Sequence, residues 1–346
     1  MNARNLLSYC GSAEEVFSSK VASLINIPGI GSVTAKAIRQ KASLERAETE
    51  LAFIDKYKIQ TFFITDPSYP ARLRNCSDAP LLLYFKGEAN LNSAKVISVV
   101  GTRNSTEYGK EICKQLIAGL TFHKPLVVSG LAYGIDSIAH KECLKHSLPT
   151  VGVLGHGLDR IYPAVHRTLA EKMLSCGGLL TEFPSTTNPD RENFPKRNRI
   201  IAGMADATVV VEASIRGGAL ITAELANSYN RDVFAFPGSI HEEFSAGCNF
   251  LIKTNRANLI SRVEDLEYIL GWTEIKKQSK PQLSLMLNLS ADEQTIVDIL
   301  KEKGCIAIDE LAIQSRMAQS KLAVAILGME MQGIIICLPG KHYKLA

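Results

Sequence analysis

This sequence has few of the features that mark a metal site, a disulfide scaffold or a membrane anchor. Its eight cysteines, at 10, 76, 113, 143, 176, 248, 305 and 337, are scattered and form no C-x-x-C pair. Such spacing reads as reduced thiols in a cytoplasmic protein, not as disulfides or zinc ligands. The seven histidines show no H-E-x-x-H or related spacing, so no metal site is expected. No apolar run is long enough to span a bilayer, so no membrane partner is expected. The start, M-N-A-R-N-L-L-S, lacks the charged beginning, apolar core and cleavage site of a signal peptide. Two nucleotide fingerprints are missing as well. The first glycine loop after a strand is not G-x-G-x-x-G, and no G-x-x-x-x-G-K-[ST] occurs, so neither a dinucleotide cofactor nor a P-loop is indicated. No cofactor is expected. Excess charge is also modest. A net charge of +4 permits an anionic partner without demanding one, because a local basic patch matters more than the total.

What is present is an ordinary globular composition, 46% hydrophobic and 21% charged, over a length that suits two or three domains. Residues 1–55 read as a helical domain. Within it, Pro28-Gly29-Ile30-Gly31 is a tight turn followed by a helical A-K-A-I run. This stretch resembles a helix-hairpin-helix motif, in which a glycine turn aims backbone N–H groups at phosphate. A compact helical turn with no ligand explains the residues equally well.

From Val96 the rhythm changes. V-I-S-V-V (96–100), L-V-V-S (126–129), T-V-G-V-L (150–154), T-V-V-V (208–211) and V-F-A-F (233–236) alternate with helical patterns. Continuous apolar strands separated by helices predict a parallel sheet buried on both faces, a doubly wound α/β domain over about 56–274. Two earlier runs, F-F-I (62–64) and L-L-L-Y-F (81–85), also look like strands. A polar linker is expected over 275–289. Residues 290–346 then read as three helices and a small hairpin, a winged-helix layout, opened by a Ser290/Glu293 capping box.

In such a sheet, ligands bind beyond the C-terminal strand ends. The loops expected there are rich in glycine: G-T-R-N-S-T-E-Y-G (101–109), S-G-L-A-Y-G-I-D (129–136), G-H-G-L-D-R-I-Y-P (155–163) and Gly217-Gly218. Glycine lets backbone approach a polar ligand closely, and helix N-termini welcome anions. The segment R-E-N-F-P-K-R-N-R (191–199) adds four cations against Glu192. Phosphate-bearing ligands fit this edge. An aromatic near it, Tyr133, Tyr162 or Phe250, is the expected base-stacking partner.

Taken together, V-V-G-T-R (99–103), S-G-L-A-Y-G-I-D-S-I-A-H (129–140), L-G-H-G-L-D-R-I-Y-P (154–163), F-P-K-R-N-R-I-I-A-G (194–203), L-I-T-A-E-L-A (220–226), F-P-G (236–238) and G-C-N-F-L-I (247–252) resemble the DprA/Smf family of DNA-processing proteins. The resemblance covers most of residues 60–270. It implies an extended Rossmann-like domain between an N-terminal helix-hairpin-helix/SAM-like domain and a C-terminal winged helix. It also implies a non-enzymatic role: binding and protecting single-stranded DNA and loading the RecA recombinase onto it in natural transformation, as a homodimer. Carried over by motif, Arg103 and Arg167 would meet phosphate. Lys196, Arg197 and Arg199 would line a basic pocket with Asn198, and Gly217, Gly218 and Asn249 would complete its floor. Gly101, Thr102, Ser129, Gly130 and Gly134 join the expected site from the strand-end loops. One departure stands out, because Gly217-Gly218-Ala219 replaces the S-G-S of many members and removes two hydroxyls.

The same sequence carries two other readings. R-G-G-A-L-I-T-A-E (216–224) resembles, in degraded form, the P-G-G-x-G-T-x-x-E loop of Rossmann-like nucleotide phosphoribohydrolases, which would make Glu224 a general acid or base. A duplex-DNA regulator working through residues 290–346 is the other. That segment carries six Lys or Arg against seven Asp or Glu, and its candidate recognition helix has Lys321 as its one cation. Duplex binding draws most of its affinity from phosphate neutralisation, so this composition argues against it.

Overall fold

The computed structural model describes residues 2–38, 40–272, 289–338 and 340–346, with the side chains of residues 2 and 41–43 excepted. The expected linker 275–289 therefore lies, except for residue 289, outside the described residues. The chain divides into two compact units, residues 1–261 and 262–346.

The first unit is built on a nine-stranded sheet. Its strands are β1 (Gln60–Phe63), β2 (Leu82–Gly87), β3 (Val96–Val100), β4 (Leu126–Ser129), β5 (Thr150–Val153), β6 (Gly178–Thr181), β7 (Ala207–Val210), β8 (Asp232–Ala235) and β9 (Asn258–Leu259). Their order is β1-β2-β6-β5-β4-β3-β7-β8-β9. From β6 to β9 every pairing is parallel, while β1 and β2 extend the β6 edge antiparallel. Every residue of β3 through β7 is buried. That is why these strands read as unbroken apolar runs instead of alternating ones.

Strand β6 escaped the sequence pattern. Its G-G-L-L-T context looks like a turn, yet here the glycines serve close approach. A Cβ at Gly177 would strike the Thr150 backbone, and one at Gly178 would strike the Phe85 ring. Without side chains there, β6 lies tightly between β5 and β2.

Residues ahead of the sheet form helices at Asn2–Cys10, Ala13–Ser18, Val21–Ile25, Ser32–Ile38 and Lys41–Tyr57. The first four enclose a small core of Leu6, Val16, Leu24, Ile27, Ile30 and Ala35. The 17-residue helix Lys41–Tyr57 ends on Lys58, whose φ of 51° reverses the chain into β1. These helices group with the sheet in one unit.

In the second unit, helices Ala291–Lys303, Ile308–Ser315 and Gln319–Met331 pack around Ile296, Leu300, Leu311, Leu322 and Ile326. Strands β10 (Cys305–Ala307), β11 (Ile335–Leu338) and β12 (His342–Leu345) form a sheet in the order β10-β12-β11. The Ser290/Glu293 capping box is present. This is a winged helix with one strand, β10, beyond the expected hairpin; residue 339 of that hairpin lies outside the described residues. Among the described residues, no helix is long and apolar enough to cross a membrane.

Candidate functional site

Strand order sets the position of the site. The chain builds outward from β3 through β4 and β5 to β6, then crosses back so that β7 lies on the other side of β3. Loops leaving the C-terminal ends of β3 and β7 diverge there and leave a crevice. A groove of about 900 Å³ occupies it. Its walls come from the loop after β3 (Gly101–Asn104), the turn after β7 (Ala213–Gly218), the helix Asn193–Met204 and the segment carrying Pro189 and Arg191.

Each wall is braced from below. The buried Glu212, just past β7, accepts from the Thr106 N–H at 3.0 Å and the Thr106 hydroxyl at 2.5 Å. Its carbonyl takes the Thr102 N–H at 2.7 Å. On the other side, Ile135 N–H donates to the Thr102 carbonyl at 3.2 Å. Gly134, at φ 73°, lies so close to the carbonyls of Thr102 and Arg103 that a Cβ would collide with both. The loop that carries Arg103 is thus pinned from both flanks.

The helix Asn193–Met204 turns one face to the groove. Phe194, Arg197, Asn198 and Ile201 line it, at the i, i+3, i+4, i+7 spacing of a single helical stripe. Phe194 is the centre of an aromatic and cationic cluster. The Arg103 guanidinium lies 5.6 Å from its ring centroid, Arg197 lies 6.0 Å away, and the tilted Tyr162 ring is 6.0 Å distant. Such cation–π contacts orient guanidinium planes while leaving their outer N–H donors free. The Asn198 amide donates to the Gly218 carbonyl at 3.3 Å. It links this helix to the eleven-residue helix Gly218–Ser228, whose N-terminus opens on the groove.

In the groove floor, Arg197 is 4% exposed and donates to the carbonyls of Gly130 and Val153. Burial lowers its pKa to about 10, partly offset by the Asp136 carboxylate. Burial also raises the pKa of Asp136, against the pull of Arg197. The two form an electrostatic pair in the floor of the groove, and Gly130 has no room for a Cβ between them.

The expected residues therefore separate into three groups. Gly101, Thr102, Arg103, Arg197, Asn198, Gly217 and Gly218 line the groove. Ser129, Gly130 and Gly134 stand behind its wall; Ser129 is fully buried and donates to the Val99 carbonyl at 2.6 Å. Arg167, Lys196, Arg199 and Asn249 are not among the lining residues. Arg167 is exposed at the start of the helix Arg167–Met173. Lys196 points to Glu192 at 3.8 Å. Arg199 is held by Glu182 and the Asp78 carbonyl. Asn249 exchanges hydrogen bonds with Gly238, at 3.2 and 3.0 Å. Helical periodicity separates Lys196 and Arg199 from Arg197, although the three are near neighbours in sequence.

The structure adds residues that sequence reasoning did not single out. Arg191 and Arg216 line the groove, are exposed and form no ion pair among the described residues. Phe194 lines it too. Arg216 had a visible signal, a cation directly before the glycine pair. Of the stacking candidates, Tyr162 borders the groove next to Phe194, whereas Tyr133 packs on His166 and Phe250 against Arg256. Ser214 supplies a hydroxyl to the turn that lost two at Gly217 and Ala219.

Neither alternative site is assembled in this way. Glu224 faces outward and pairs with Arg256 at 3.0 Å, away from the groove lining. On the winged helix, Lys321 is tied to Asp292 at 2.7 Å, while Val324, Leu327 and Met331 are exposed on the same helix.

The comparisons with known proteins converge on one family. The family model for DNA recombination-mediator protein A matches residues 60–270, and the DprA winged helix domain matches residues 278–341. A putative DNA processing protein DprA of Mycobacterium tuberculosis is 33% identical over 326 residues, covering 90% of this chain and 84% of its own. The X-ray structure of DNA processing protein A from Streptococcus pneumoniae superposes with a TM-score of 0.66 at 33% identity, covering 77% of this chain and 91% of that one. DNA processing protein A from Helicobacter pylori, whose structure concerns its single-stranded DNA binding mode, gives a TM-score of 0.55 at 26% identity, covering 61% of this chain and 94% of its own.

Proposed function

Since this chain belongs to the DprA/Smf family of DNA processing proteins, we propose that it binds single-stranded DNA along the groove between β3 and β7. The finer role follows the family resemblance: the protein shields the strand and passes it to the RecA recombinase, acting in the cytoplasm as a homodimer.

One observation carries this reading. Arg103, Arg191 and Arg216 converge on the groove without ion-pair partners among the described residues, beside the Tyr162–Phe194 aromatic pair. Free guanidiniums track a phosphate backbone, and neighbouring aromatic faces stack bases of any sequence. The H. pylori relative's single-stranded DNA binding mode lends support from outside the chain. Chemistry is less well served. The groove's carboxylates are Asp136, buried beside Arg197, and Glu243.

A salt titration of single-stranded against duplex DNA tests the proposal. Each phosphate neutralised on a single strand contributes about 0.7 to the slope of log K against log salt. Arg103→Ala and Arg216→Ala are each expected to weaken single-strand binding and flatten that slope by about this amount. Unchanged affinity and slope in both variants would move the binding site elsewhere.

A further inference from the structure

The segment between β6 and the helix Asn193–Met204 is a strap held at two anchors. At the first, the buried Glu50 on helix Lys41–Tyr57 receives the Ser185 N–H at 2.9 and 3.1 Å and the Ser185 hydroxyl at 2.5 Å. Arg46, one turn earlier, donates to Glu50 at 2.8 Å and to the Ser185 carbonyl at 2.6 Å. At the second anchor, the Asp159 carboxylate accepts the Thr186 N–H at 2.9 Å, and Arg160 donates to the Asn188 side chain at 2.6 Å. Thr186, held at the second anchor, sits at φ 68°. A β-branched residue adopts that backbone only where its surroundings over-determine it. Immediately beyond, the strap delivers Pro189 and Arg191 to the groove wall.

We propose that Glu50 is a positioning residue for DNA binding: by clamping Ser185 it holds the 182–192 strap, and with it Arg191, against the groove. The proposal rests on the groove being the single-strand site. It makes the N-terminal helical segment part of the binding apparatus, although no residue of that segment lines the groove. A carboxylate is the right group for the clamp. It takes three donors from two residues at once, which no neutral side chain of that length does. Arg191 itself has no ion pair among the described residues, so its approach to the groove depends on the backbone that carries it.

A double-mutant cycle in the full chain decides the matter. Arg191→Ala is expected to weaken single-strand binding about three- to tenfold and lower the salt slope by about 0.7. Glu50→Ala reproduces both effects without touching DNA, and the Glu50→Ala/Arg191→Ala double variant is no weaker than the worse single one, because the two act through one contact. Glu50→Gln keeps one carbonyl for the Ser185 N–H and falls between wild type and alanine; it carries the cycle if the alanine variant fails to fold. Wild-type binding in both Glu50 variants, alongside a weakened Arg191→Ala, overturns the clamp. So do effects that simply multiply in the double variant, since they would make Glu50 a matter of stability alone. Arg103→Ala serves as the control. If it binds like wild type, the groove reading itself fails and takes the clamp with it.

Discussion

Arg103 and Arg197 are chemically identical, and burial gives them different work. Arg103 is exposed, lies over Phe194 and makes no ion pair among the described residues. Arg197 is buried, holds the carbonyls at the ends of β4 and β5, and faces Asp136. Removing Arg197 leaves those carbonyls and a carboxylate without their cation. Arg197→Ala is therefore expected to destabilise the fold by about 3 kcal/mol or more, whereas Arg103→Ala stays within about 0.5 kcal/mol. Urea titrations of both variants check this, and equal midpoints would refute the division of roles. A loss of binding in Arg197→Ala then has to be read against its stability. The sequence identified the cluster around Arg197 as basic. Which of its members reaches the groove depends on helical phase and on Glu182 and Asp78, partners remote in the chain.

At the scale of elements, the site is made by the ends of strands and the starts of helices. Gly134 caps the helix Ile135–Lys145 at φ 73° and abuts the loop bearing Arg103. Alanine there meets both a disfavoured backbone and two carbonyl oxygens, so the loop or the helix has to shift. Gly134→Ala is expected to lower stability by about 1–3 kcal/mol and to weaken single-strand binding beyond what the stability loss explains. Full binding affinity in a folded Gly134→Ala protein would count against the close approach. Gly218, the glycine shared with S-G-S, is different: a Cβ there would meet only the Asn198 amide, at an ordinary 3.9 Å, so no crowding demands glycine. Strands β3, β4, β5, β7 and β8 were legible because their burial on both faces writes a continuous apolar run. Strand β6 was not, because its glycines are dictated by the neighbours they touch.

Across the sheet unit, three buried histidines tie stability to pH. Burial lowers the pKa of His140 to about 3, and those of His156 and His166 also fall below the ordinary 6.5. His140 is neutral in the fold, its Nδ1 2.7 Å from the Thr150 hydroxyl. The unfolded chain takes up protons near pH 6.5, whereas the folded one resists until far lower. Stability is therefore full above pH 6.5 and declines as the pH falls toward 3. For His140 alone the loss between pH 6.5 and 5 comes to about 2 kcal/mol. Denaturant titrations at pH 7.5, 6 and 5 are expected to show this slope, and His140→Gln to flatten it. An equal slope in the variant would assign the proton uptake to other groups.

The sequence by itself determined the layer architecture, the winged helix, the family and the sheet edge that carries the candidate site. Those features are written in local periodicity and in short motifs, where each residue's environment follows from its neighbours in the chain. Only the tertiary structure decided which cations face the groove, that Tyr162 and not Tyr133 or Phe250 stands beside Phe194, and that Glu224 looks away. It also brought Glu50 and Ser185, 135 positions apart, into one hydrogen-bonded clamp. Such pairings depend on strand order and crossover, which bring distant segments together and leave no trace in local pattern.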